Sequence, residues 1–208
     1  MTRREALLLI LPSFPLMRAL ALRAQDITPK AIDPDFVRMW DAAARDRPDV
    51  DLNRSSLVPA GEPGTPLTVR GQLFDADGRR SLAQAIVFAY QTDAAGHYNR
   101  AGQPGWRLKA WARTDAEGRF VLDTIHPGPY PGRSVAAHIH LGVDGEVGQR
   151  QTLEDVLFDD DPLVTSPQRD RSRAAGRFNN IVRVSRVDAQ QQHEECDIMF
   201  RLTGEYVF

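Results

Sequence analysis

Four side chains in this 208-residue chain form a set with a definite chemistry: His138 and His140, the ends of a His-Ile-His triplet, and two tyrosines, Tyr98 and Tyr130. Side chains alternate faces along a strand, so the two histidines project from one side roughly 7 Å apart while Ile139 points the other way. Two imidazoles on one face can reach one ion. Tyr130 ends a Pro/Gly-rich loop, Thr124-Ile-His-Pro-Gly-Pro-Tyr130, just ahead of the histidine triplet, and Tyr98 follows the tight turn at Gly96. A free phenol ionises near pKa ~10 and is a poor ligand at neutral pH, but a hard trivalent cation can hold it as phenolate. Phenolate beside two imidazoles favours Fe(III) over Fe(II) or zinc. Two carboxylates with the same histidine pair would suggest Fe(II) or manganese, and a third histidine would suggest zinc. His97 and His126 are candidates for that third histidine, and the sequence leaves both open. Adjacency argues against His97 sharing the direction of Tyr98, and His126 suits a loop-structuring role. His193 sits in a polar run and is expected to be solvated.

The segments that must position these residues read as short alternating runs: 67–74, 85–91, 118–123 and 137–143, with later strands at 180–184 and 196–202. Each is bounded by turn chemistry such as Asp75-Ala-Asp-Gly78, Asp93-Ala-Ala-Gly96 and Asp115-Ala-Glu-Gly118. The pattern predicts an all-β fold, an antiparallel β-sandwich over residues 67–208, and similar hairpins at the last two turns. Ahead of it, Asp33-Pro34 opens a predicted helix running to Ala44, with Asp33 as N-cap and Pro34 at the first helical position. That helix is expected to form a short arm, joined to the sandwich by the Pro/Gly-rich stretch 48–66, so that residues 25–66 constitute arm and linker. Trp106 and Trp111 are expected to pack in the core.

Residues 1–24 carry paired Arg3-Arg4, an apolar run and small residues at Ala19, Ala21 and Ala24. This is the pattern of a signal peptide, of a twin-arginine-like kind, and it predicts export to the periplasm. Pro12, Pro15 and Arg18 leave the run too short for a spanning helix, which needs about 20 apolar residues. The net charge of -2, falling to -5 without the leader's four Arg and one Glu, excludes the basic excess that nucleic acid demands. The single cysteine, Cys196, rules out an internal disulfide and a Cys-rich metal site, so a metal here relies on nitrogen and oxygen donors. A homo-oligomer is compatible with the sequence.

Three segments, 85–98, 113–130 and 137–140, together resemble the intradiol ring-cleavage dioxygenases, especially the protocatechuate 3,4-dioxygenase type, over about residues 67–204. The resemblance implies a mononuclear non-haem Fe(III) held by Tyr98, Tyr130, His138 and His140 on a β-sandwich. It also implies a small aromatic diol and O2 as reactants, with the ring cut between its hydroxyl-bearing carbons to give a cis,cis-muconate. Tyr98 would stay bound and Tyr130 would be displaced by substrate and accept its proton. The family commonly has an arginine three residues before the first histidine. Here that position is Val135, and Arg133 is expected to reach the same space as a catalytic residue. A glutamine expected near the substrate is replaced around Asp155. The alternatives are a non-catalytic sandwich module, since fold does not fix function, and a family member that binds iron without turnover.

Overall fold

Two β-sheets face one another in the computed structural model, which describes residues 33–48, 52–101, 103–144, 150–188 and 192–202. In chain order the elements are α1 (Pro34–Arg45), β1 (Arg54–Ser56), β2 (Pro66–Phe74), β3 (Ile86–Gln91), β4 (Leu108–Arg113), β5 (Arg119–Ile125) and β6 (His138–Val143). There follow β7 (Gln151–Thr152), β8 (Val156–Phe158), α2 (Ser166–Ala174), a 3-10 turn (Gly176–Phe178), β9 (Ile181–Val182), β10 (Ser185–Asp188) and β11 (His193–Arg201). The first sheet runs β1-β5-β2-β11-β10, and the second runs β4-β3-β6-β8-β9 with β7 alongside β6. The expected sandwich is present. Most neighbours are antiparallel, while β1 with β5, β2 with β11 and β8 with β9 run parallel. The predicted leader, 1–24, lies outside the described residues. Among the described residues no helix is long and apolar enough to cross a membrane.

Alternation builds the interior. Val69 and Leu73 of β2, Phe120 and Leu122 of β5, and Ile198 and Phe200 of β11 meet Val87 and Ala89 of β3 and Ile139, Leu141 and Val143 of β6 between the sheets. The other face of β3 is covered as well, so all six of its residues are buried. There Ile86, Phe88 and Tyr90 join Trp106, Trp111 and Trp40 of α1 in a second, aromatic cluster. Trp106 and Trp111 thus pack as expected.

The helix forms where the sequence predicted it, with the Asp33 carboxylate accepting from the Asp35 N–H and Pro34 at its start. It is more than an arm. Trp40 is fully buried, its ring 4.9 Å from that of Phe88, and it fills the space above Gly142, where a Cβ would lie 2.0 Å from the indole. The segment expected as linker also contributes to a sheet. Arg54–Ser56 pairs with Val121–Asp123 of β5, and Leu57 follows with its N–H on the Asp123 carbonyl at 2.9 Å and its side chain buried. The sandwich therefore begins at Arg54 rather than at Leu67. A three-residue strand among prolines is too short to show a period.

The look-alike turns are alike in detail. The Asp93 carboxylate accepts from the N–H groups of Ala95 and His97, and the Asp115 carboxylate accepts from those of Glu117 and Arg119, each at 2.8–3.0 Å. Self-bonding of this kind is why Asp leads such turns.

Candidate metal centre

His138 and His140 share the outer face of the second sheet with Tyr90, which is registered opposite His140. The Tyr90 ring stacks on the His140 ring at 4.6 Å, and Trp106 stacks behind Tyr90 at 3.9 Å. This aromatic wall fixes the plane of the second imidazole.

The two phenols arrive on loops that are bolted together. At the end of β3, the fully buried Gln91 donates to the carbonyls of Thr92 and Ile125 and accepts from the Thr124 hydroxyl. Next to it, the Thr92 hydroxyl donates to the Gly128 carbonyl at 2.7 Å, and the Gly128 N–H donates to the Asp93 carbonyl at 2.8 Å. Gly96 completes the clamp. Its φ of +84° is in the left-handed region, and a Cβ there would lie 2.0 Å from the Pro129 carbonyl oxygen. The turn before Tyr98 thus seats directly against the loop before Tyr130.

As a result four donor atoms converge. Tyr98 Oη and Tyr130 Oη share a short hydrogen bond. Tyr98 Oη is 2.8 Å from His140 Nε2, and Tyr130 Oη is 3.1 Å from His138 Nε2 and 3.4 Å from His140 Nε2. The two Nε2 atoms are 2.9 Å apart. The opposite ring nitrogens settle the tautomers, because each faces an acceptor: His138 Nδ1 the Ala136 carbonyl and His140 Nδ1 the Asp155 carboxylate, both at 2.7 Å. Each Nδ1 must therefore carry the proton, and both Nε2 lone pairs point into the cluster.

Two facing lone pairs repel unless a proton or a cation lies between them. Burial, and next His140, lower the pKa of His138, so protonation of that ring is disfavoured. Burial likewise raises the Tyr98 phenol far above its ordinary range, with its bond to Tyr130 second, and raises Tyr130 and Tyr90. A buried set of neutral phenols and lone-pair imidazoles is what a cation would reorganise, displacing phenol protons. The spacings fit one ion, since neighbouring donors around a centre with bonds of about 2.1 Å lie about 3 Å apart. His138, His140 and Asp155 also form a group whose ligand atoms lie within 4.8 Å of one another, which would be a two-histidine, one-carboxylate set. The phenol oxygens are closer to the Nε2 pair. Asp155 is committed to the Nδ1 side of His140, where it props the ring rather than competing for the ion.

The other sequence candidates fall elsewhere. His97 is exposed, 3.9 Å from Asp93. His126 bonds Glu194 through Nδ1 at 2.8 Å and rests 4.1 Å from the Phe158 ring. Neither adjoins the pair. His193, expected to be solvated, is half-buried in β11 with Nε2 3.0 Å from the Thr68 hydroxyl, because alternation puts it on the same face of the sheet as Thr68 of the adjacent β2. Arg133 is exposed with its guanidinium 5.9 Å from the centre of the Tyr130 ring, where its charge favours the phenolate. Val135 is 41% exposed. A cleft of about 400 Å³ opens beside the cluster on the side of Tyr130, His138 and Val135. Asp155 and Tyr90 are the residues whose roles the sequence did not disclose. For Tyr90 a signal existed, since alternation from Phe88 puts it on the aromatic face.

A sandwich that sets two imidazoles and two phenols on one outer face, beside an open cleft, defines a class of candidate metalloenzyme, and comparison with known proteins supplies the family. The dioxygenase family model matches residues 33–202. The beta chain of protocatechuate 3,4-dioxygenase from Burkholderia cepacia is 31% identical over a match covering 63% of this chain and 63% of that one, so the chain spans less than two thirds of that relative's length. Among solved structures, the dioxygenase domain of a dioxygenase carbohydrate-binding protein fusion from Streptomyces sp. SirexAA-E is 28% identical, with a TM-score of 0.53, covering 75% of this chain and 90% of that one. The fold is also that of 3-chlorocatechol 1,2-dioxygenase from Rhodococcus opacus 1CP, 23% identical with a TM-score of 0.57, covering 74% of this chain and 66% of that one. The chain belongs to the intradiol dioxygenase family.

Proposed function

We propose that the protein is a non-haem Fe(III) dioxygenase that cuts a catechol-type ring between its two hydroxylated carbons with O2, yielding a cis,cis-muconate. The observation that carries this reading is the convergence of Tyr98 Oη, Tyr130 Oη and the two Nε2 lone pairs of His138 and His140 within 3.4 Å along the contacts that join them. These four residues would hold the ion. When bound, ferric iron supplies a Lewis acid and an electron acceptor for a chelated catecholate.

The chain's own residues supply the rest. Asp155 and the Ala136 carbonyl hold the histidine tautomers. Tyr90 fixes the His140 plane. Tyr130, the donor phenol that lines the cleft, is placed to leave its position and take up a catechol proton, and the Arg133 charge eases its ionisation. The amino-terminal sequence supports export through a twin-arginine route to the periplasm, where the substrate would be met.

The test is direct. Purified protein reconstituted with ferric iron is expected to bind one iron per chain, to absorb in the visible through tyrosinate-to-iron charge transfer, and to consume O2 with a catechol panel. Colourless, iron-free protein after reconstitution would refute the assignment. Val135, standing exposed where the family commonly keeps a positive charge, favours a second reading in which iron binds without turnover. Coloured protein that consumes no O2 with any catechol would select that reading.

A further inference from the structure

We propose that the cleft beside the donor cluster selects catechols whose ring carries a short side chain ending in a carboxylate. The proposal rests on the catechol dioxygenase reading above and names the substrate class of that same site. The cleft holds about 400 Å³, within the range that takes ligands larger than a single ring. Tyr130, His138 and Asp155 line it next to the donors, and Arg171 of α2 and Arg201 of β11 also line it. Val135, Leu157 and Met199 contribute apolar surface.

The two guanidiniums differ from their neighbours in having no acidic partner. Along α2, Arg169 bonds Asp159 and Arg173 bonds Asp170. Arg171 has no ion pair among the described residues. Arg201 rests over the Phe178 ring at 5.4 Å and likewise has no acidic partner among them. Of the acids on the same wall, Asp155 accepts from His140 at 2.7 Å, and no ion pair joins Arg171 or Arg201 to an acid among the described residues. Neither guanidinium contacts the four donors, so the charge they meet belongs on a substituent and not on the reacting carbons. Guanidinium donors match a carboxylate in geometry and charge. The apolar side chains suit the carbons linking it to the ring.

The iron-loaded protein would be given 3-(3,4-dihydroxyphenyl)propanoate, its methyl ester and catechol, with anaerobic dissociation constants and aerobic kcat/KM measured for each. The acid is expected to have a dissociation constant about tenfold smaller and a kcat/KM about tenfold larger than the neutral ester, as a charge-assisted bond at an exposed site implies. That advantage should shrink with added salt. In the double variant Arg171→Gln, Arg201→Gln the acid-to-ester ratio should fall toward one. An equal response to acid and ester in the unaltered protein, with catechol still cleaved, overturns this proposal alone, as does a ratio that the double variant leaves in place. Protein that binds neither iron nor any of the three compounds overturns the proposed function and this inference with it.

Discussion

His140 Nδ1–H donates to the Asp155 carboxylate at 2.7 Å, and that one bond decides which nitrogen of the ring faces Tyr98. A histidine free to flip would offer its N–H to the cluster half the time. Replacing Asp155 by Ala is expected to weaken ferric iron binding by about 10–100-fold, the usual cost of losing an outer partner of a ligating histidine. Competition with a chelator measures it. Unchanged affinity would show that the aromatic wall of Tyr90 alone orients the ring.

The two phenols are predicted to separate in their effects. Tyr98, the more deeply set, bonds both Tyr130 and His140, so Tyr98→Phe should lose iron on purification. Tyr130 borders the cleft, and Tyr130→Phe should keep iron while turnover falls about 10²-fold, the scale of a lost proton acceptor. Metal analysis and O2 uptake on the same samples distinguish these outcomes, and the reverse pattern would exchange the two roles.

Gly96→Ala tests the clamp between the tyrosine loops. The substitution places a methyl 2.0 Å from the Pro129 carbonyl at a left-handed φ, which should cost about 2–4 kcal/mol from strain and overpacking together. A fall of about 5–15 °C in Tm is expected for a domain of this size. Iron affinity should fall as well, since the turn that moves carries Tyr98.

Cys196 is buried between the sheets, and burial pushes its thiol up to about 12 from an ordinary 9.0. The folded protein at pH 8 should resist alkylation that the unfolded chain undergoes readily. The sign for stability follows. The unfolded chain ionises first, so this thiol's contribution is whole below pH 9 and is lost as pH climbs toward 12. Denaturant titrations at pH 8 and pH 10.5 should differ in that direction, with Cys196→Ser as the control.

Much of the scaffold was legible because its longer strands obey one rule. β2, β5 and β6 alternate or carry their His-Ile-His signature, and their Asp-to-Gly turns are self-bonded. β4, read Leu-Lys-Ala-Trp-Ala-Arg, carries too little contrast between its faces to announce itself. β1, β7 and β8 have two or three residues and exist only because a neighbour pairs with them. Helix α2 buries just Ser172 and so shows no apolar stripe, although its capping box, Thr165 with Gln168, was a readable start. The four donors were legible from residue type and order. Asp155 was not legible as a prop, because its meeting with His140 depends on β8 returning beside β6, a pairing that no local pattern encodes.

The donor cluster sits on the outside of the second sheet, leaving the space between the sheets to apolar side chains. At β6 the odd-numbered Ile139, Leu141 and Val143 pack between the sheets, while the even-numbered His138 and His140 face the other side, against the aromatic wall of Tyr90. Residues of α2 and the turn after it line the cleft but take no part in the packing between the sheets, so substitutions there can reshape the cleft while that interior stays as it is.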